Sequence, residues 1–124
     1  MRVYDLHDAE GRFFAFEVDN LRLERGELCD LVRTIPGATV VREPRFLSYW
    51  REDEFCEFEV NGQRFKAEEP FGDNSRYWIG PEPPRWCAQL ESVRQAFAAY
   101  NPSLIPSPFF RRLLRRRREK GERL

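Results

Sequence analysis

The stretch Phe55-Cys56-Glu57-Phe58-Glu59-Val60-Asn61-Gly62-Gln63-Arg64-Phe65-Lys66-Ala67-Glu68 decides how the chain folds. Asn61-Gly62 favours a type I′ turn, in which both central residues take a positive φ and the backbone twist matches that of the flanking strands. Before the turn, Cys56, Phe58 and Val60 alternate with Phe55, Glu57 and Glu59. After it, Phe65 and Ala67 alternate with Arg64, Lys66 and Glu68. A period of two describes a half-buried strand. The first set in each arm is expected to face the core and the second to face solvent. The solvent set brings glutamates opposite arginine and lysine, as cross-strand ion pairs require.

Working outward, the N-terminal end repeats the pattern. Tyr4 and Leu6 alternate with Asp5, Asp8-Ala9-Glu10-Gly11 supplies a turn, and Arg12 to Val18 forms the return strand. Phe14, Phe16 and Val18 are expected on one face, with Phe13, Ala15 and Glu17 on the other. A helix is expected from about Glu24 to Ile35, because Leu28, Leu31, Val32 and Ile35 recur at helical spacing. Pro36-Gly37 ends it. Thr39-Val40-Val41 is a short strand that follows only a helix, so a parallel crossover from the first hairpin is possible. Another strand runs from Arg76 to Ile79. Its alternation sets Trp78 on the side opposite Tyr77 and Ile79. A second helix is expected from Pro84 to about Tyr100, with Trp86, Leu90, Val93, Phe97 and Tyr100 on one stripe. Asn101-Pro102 ends that helix.

These elements predict an α+β fold: a small mixed or mostly antiparallel sheet of five or six short strands, two packed helices, and a basic C-terminal helix or tail. The chain of 124 residues divides into a compact domain over 1–100 and, over 101–124, a proline-containing linker followed by a basic segment. Ser107 and Pro108 suit the start of a third helix. Residues 42–53 are the least regular stretch. Pro44 argues against a central strand there, and Tyr49 and Trp50 stand among charges.

Composition excludes several classes. Hydrophobic residues at 41% and charged residues at 34% are those of a globular chain rather than a disordered or membrane one. No apolar run is long enough to span a bilayer. Asp5, Asp8 and Glu10 interrupt any signal core, so a cytoplasmic location is expected. Cys29, Cys56 and Cys87 are odd in number and widely spaced, which fits reduced thiols and not a disulfide framework. Nineteen arginines against two lysines fit a GC-rich bacterial gene, and equally a need for forked contacts to carboxylate or phosphate.

No catalytic signature stands out. His7, the single histidine, sits at a turn, and no cysteine pair accompanies it as a zinc site requires. Cys87 lies near a helix start, where the helix dipole lowers a thiol pKa, but Trp86 and Pro84 make simple packing as good an explanation. No glycine-rich phosphate loop is present. Glu68, Glu69 and Asp73 cluster in one loop beside Glu57 and Glu59, the arrangement a small carboxylate-dependent hydrolase or a hard cation would use. No cofactor or metal is implied, and a non-enzymatic role is the expectation.

What remains is a surface. Aromatic residues are 15% of the chain. Tyr49, Trp50 and Trp78 fall beside irregular segments and near Glu57 and Glu59. Aromatic anchors ringed by carboxylates suit recognition of a basic protein. The zero net charge is also divided: residues 1–100 hold nineteen acidic and thirteen basic residues, and residues 101–124 hold two acidic and eight basic. Arg111, Arg112, Arg115, Arg116, Arg117 and Arg118 form a candidate phosphate-binding run. With Phe109, Phe110, Leu113 and Leu114 they equally suit an anionic membrane surface, or docking onto the acidic domain of the same or a second chain. The leading expectation is a protein-interaction module that binds and neutralises a basic partner, with self-association as a related possibility. The alternatives are a nucleic-acid-associated accessory protein acting through the tail and a small hydrolase.

Overall fold

The computed structural model describes residues 1–42, 54–70 and 75–101. They form six strands and two helices: β1 (Val3–His7), β2 (Phe13–Asp19), α1 (Arg25–Arg33), β3 (Ala38–Arg42), β4 (Glu54–Val60), β5 (Gln63–Glu68), β6 (Arg76–Pro81) and α2 (Ala88–Ala99). The strands make one sheet in the order β1-β2-β6-β5-β4-β3. Every neighbouring pair is antiparallel. This is an α+β fold. A hairpin, β1–β2, and a meander, β3 to β6, join when the last strand of the meander pairs with β2. The chain reaches the meander through α1. Since four antiparallel steps separate β2 from β3, the two strands run in the same direction, but they do not pair.

The deciding turn has the expected geometry: φ is 48° at Asn61 and 85° at Gly62. A second turn locks against it. Gly37, at φ 80°, accepts a backbone hydrogen bond from Asn61 at 3.2 Å. A Cβ at Gly37 would lie 2.3 Å from Asn61 Oδ1, so only glycine lets the turn after α1 close on the hairpin.

Two register slips change which residues face inward. Between Glu54 and Cys56 the β4–β5 register shifts. Both Phe55 and Cys56 are consequently buried, and Phe55 packs its ring 4.9 Å from Tyr77. The expectation that Phe55 faces solvent with Glu57 and Glu59 is therefore corrected: one extra residue in a strand inverts the faces beyond it. A similar slip between Leu6 and His7 brings Phe13 against the core cluster, where simple alternation assigns Phe14.

One core lies between the helices and one face of the sheet. From α1 come Leu28, Cys29, Leu31 and Val32; from α2 come Leu90, Val93 and Phe97. The sheet contributes Phe16, Val18, Cys56, Phe58, Val60, Phe65, Tyr77 and Ile79. Phe16 meets Phe97 edge-on at 5.3 Å, and Phe58 stacks on Phe65 at 5.3 Å. The second helix is shorter than its apolar stripe. It starts at Ala88 with Cys87 as its extended N-cap. Pro83 and Pro84 hold the preceding chain out of helical conformation. Trp86 thus falls outside the helix, 53% exposed, and its indole Nε1 donates to Glu91 Oε1 at 3.1 Å. At the other end of α2 the Met1 ammonium donates to the carbonyl oxygens of Phe97, Ala98 and Tyr100. A cation there satisfies orphan carbonyls and opposes the negative end of the helix dipole.

Candidate functional site

Among the described residues, no helix packs on the second face of the sheet. Its side chains follow from the strand register. Tyr4, Glu17, Trp78, Glu68 and Glu54 stand opposite one another across β1, β2, β6, β5 and β4. At the usual strand spacing this row spans about 19 Å. Gly80, Lys66, Glu57 and Arg42 form the neighbouring row. Leu6 lies opposite Ala15 at its other end.

Trp78 is the largest group on this face, and it is half-buried. A Cβ at Gly80 would sit 2.7 Å from Trp78 Cη2, 3.0 Å from Cζ2 and 2.9 Å from the Ala15 Cβ. The indole therefore lies down along its own strand over Gly80 and against Ala15. The missing side chain at Gly80 is what makes room for it.

Around Trp78 the charges form two similar units. The Lys66 ammonium sits 5.7 Å from the Trp78 ring centroid, 3.0 Å from Glu54 and 3.6 Å from Glu68. Burial disfavours its charge, but the carboxylates of Glu54, Glu68 and Glu82 outweigh burial and hold its pKa above the ordinary lysine value. The Arg76 guanidinium lies 3.6 Å from the Tyr4 ring centroid, 3.4 Å from Glu17 and 3.7 Å from Asp19. The Tyr4 hydroxyl donates to Asp19 Oδ2 at 3.2 Å. In each unit a cation rests on an aromatic ring between two carboxylates.

Of the residues expected to bind a partner, Glu57, Glu59 and Trp78 share this face. Glu57 lies 3.5 Å from Arg42 and 3.4 Å from Arg64, and Glu59 lies 3.0 Å from Arg64. The glutamates are thus already ion-paired within the sheet. Tyr49 and Trp50 lie outside the described residues, as do Asp73, the possible helix from Ser107, and Arg111, Arg112 and Arg115 to Arg118. The sequence reading missed the Tyr4–Arg76 unit and the role of Gly80. The signal was present in Arg76-Tyr77-Trp78-Ile79-Gly80, whose alternation sets Arg76, Trp78 and Gly80 on one side.

The other candidates are dispersed. Glu68 pairs with Lys66, whereas Glu69 is held by Arg25 at 3.0 Å and by Asn20 at 3.5 Å, so the two adjacent carboxylates serve different partners. The Arg25 guanidinium also covers the Phe55 ring at 4.9 Å, which ties the start of α1 to β4 and β5. Arg25 is thereby drawn largely out of solvent, although it lies off the apolar stripe of α1. His7 is exposed, with Phe13 at 6.2 Å. Among the described residues no group of three or more His, Cys, Asp or Glu is placed to hold a metal ion. The Cys56 thiol is pushed far up in pKa, first by its hydrogen bond to Cys29 and then by burial, so it stays protonated and unreactive. No described helix is long and apolar enough to cross a membrane.

What the open face can do chemically is bind. It offers a fixed indole, a phenol and a lattice of carboxylates and guanidinium groups at regular spacing. No protein-family model matches the chain, and neither a curated protein nor a solved structure matches it.

Proposed function

We propose that the protein is a non-enzymatic interaction module whose helix-free sheet face docks a basic protein, with Trp78 as the apolar anchor and the neighbouring carboxylates as the charged frame. The observation that carries this reading is the one-sided packing: α1 and α2 cover one face, and the other presents a half-buried tryptophan among carboxylates. An indole held flat by Gly80 and Ala15 loses little freedom on binding, which favours its use as an anchor. The ion pairs around it do not prevent docking. Exposed pairs contribute about 0–1 kcal/mol each, so a partner's guanidinium can replace a resident one at small cost. The described residues carry fifteen acidic and eleven basic side chains, an excess that would steer a basic partner towards the domain. Binding of this kind neutralises the partner, and a bacterial cytoplasm is the setting that the sequence suggests.

The test begins with the full chain as bait and continues with the retained protein in purified form. Its affinity is titrated against wild type, Trp78→Ala, the double substitution Glu57→Lys/Glu59→Lys, and Arg22→Ala as a control away from the sheet face. A basic partner should bind Trp78→Ala at least roughly tenfold more weakly, as expected for a central aromatic anchor. It should lose association rate with the double substitution and be indifferent to Arg22→Ala. Unchanged affinity for both face variants, with their thermal melts intact, refutes the proposal.

A further inference from the structure

The charge of the chain separates into two parts that cancel: an acidic domain, and a terminal segment with eight basic and two acidic residues. The structure adds where that segment begins. The last described residues, Tyr100 and Asn101, follow α2, and the Tyr100 carbonyl accepts from the Met1 ammonium. The chain therefore leaves the domain beside the start of β1, an edge strand of the sheet. Arg2 and Tyr4 continue that edge onto the open face, where Glu17 and Asp19 on β2 are the nearest carboxylates and Trp78 on β6 is the next strand in. From β1 to β6 is two strand spacings, about 10 Å. Residues 102–110, if extended, reach up to about 30 Å, enough to pass from the helix side round the β1 edge to Trp78.

The distribution of charge on the face selects this occupant over a second copy of the same face. The open-face side chains of β2 (Glu17 and Asp19) and of β4 (Glu54, Glu57 and Glu59) are all acidic, while the cations stand on β6, β5 and β3. A twofold axis through the middle of the six strands would set β2 of one chain against β4 of the other, acid against acid. A segment that is almost purely basic meets no such conflict.

We propose that the arginine-rich segment 107–118 docks on the open sheet face of its own chain, with guanidinium groups at Glu17 and Asp19 and Phe109 or Phe110 beside Trp78. It would hold the face closed until a partner displaces it. This inference rests on the reading of that face as a docking surface for basic chains. Docking in cis confers an effective concentration on the order of millimolar, so even weak contacts suffice to close the face.

The experiment compares backbone amide NMR shifts of the full wild-type chain with those of the full chain carrying Arg115→Gln, Arg116→Gln, Arg117→Gln and Arg118→Gln. A synthetic peptide of residues 102–124 is then titrated into each. Shift differences at Tyr4, Glu17, Lys66 and Trp78 that vanish at high salt are expected. The peptide should bind the substituted chain on the order of tenfold more tightly than wild type, whose face is already occupied. If the peptide shifts these residues equally in both chains and the two chains do not differ, closure in cis is overturned while the docking face stands. If the peptide shifts nothing on the sheet, both readings fall. Differences that disappear on dilution place the segment on a second copy and overturn the proposal, and differences confined to α1 and α2 do the same.

Discussion

Replacing Gly80 by alanine tests how the open face is built. The new Cβ would stand 2.7 Å from Trp78 Cη2, 3.0 Å from Cζ2 and 2.9 Å from the Ala15 Cβ. These are distances at which atoms must move. The indole can lift away from the strand, since it is only half-buried, but Ala15 is fully buried on the adjacent strand and cannot easily yield. Overpacking of this kind costs about 1–3 kcal/mol. For a domain of this size each kcal/mol lowers the melting temperature by roughly 4–8 °C. Urea denaturation followed by circular dichroism measures the loss. Fluorescence of Trp78, with Trp50→Phe and Trp86→Phe in the background, reports the lifted indole as a red shift. Removing the obstructing groups divides the cost. Gly80→Ala/Trp78→Ala should recover the part due to the indole, and a further Ala15→Gly should recover the remainder. The coupling between these sites should exceed the few tenths of a kcal/mol expected of independent ones. Wild-type stability and an unshifted spectrum for Gly80→Ala would refute the packing of Trp78 over Gly80, and with it the rigid anchor.

Three further outcomes follow from the same structure. Phe97→Ala, which empties the α2 side of the Phe16 contact, should lower stability by about 3–5 kcal/mol in urea denaturation, and a loss under 1 kcal/mol would remove Phe97 from the core. Gly37→Ala combines a φ of 80° with the 2.3 Å approach to Asn61, so a loss of about 2 kcal/mol is expected; a neutral result would show that the two turns do not interlock. Stability should fall on the alkaline side: the Cys56 pKa is raised by Cys29 and burial, so its contribution is complete below the ordinary thiol value of 9.0 and is lost as pH rises above it. The unfolded thiol ionises there while the folded one does not, giving a slope of about 1.4 kcal/mol per pH unit, and Cys56→Ala should abolish that part of the slope in melts between neutral and alkaline pH.

How much of the site was legible depended on the range of the interaction involved. Glu57, Glu59, Lys66 and Arg64 could be set on one polar face because their alternation is local and the turn between them fixes the register. Trp78 could be set opposite Tyr77 and Ile79 for the same reason. That Trp78 shares a face with Glu57 could not be read, because it depends on β6 pairing with β5 at a register that no local pattern encodes. Phe55 and Phe13 were misplaced because a one-residue slip is a property of two strands together. Trp86 fitted the apolar stripe of α2, but the prolines before it end the helix at Ala88.

The sequence by itself determined the local elements: Asn61-Gly62 as the turn, strands wherever apolar residues alternate, helices wherever they recur at three and four, and an acidic domain followed by a basic segment. Each of these follows from backbone dihedral preferences, side-chain periodicity or simple charge, which neighbouring residues express without help. Only the tertiary structure decided that β6 inserts between β2 and β5, that both helices cover the same face, that Arg25 is drawn down onto Glu69 and Phe55, and that Trp78 lies on Gly80 with Lys66 above it. Those choices depend on which distant surfaces bury the most apolar area together while pairing the charges left outside, and that comparison exists only once the whole chain has collapsed.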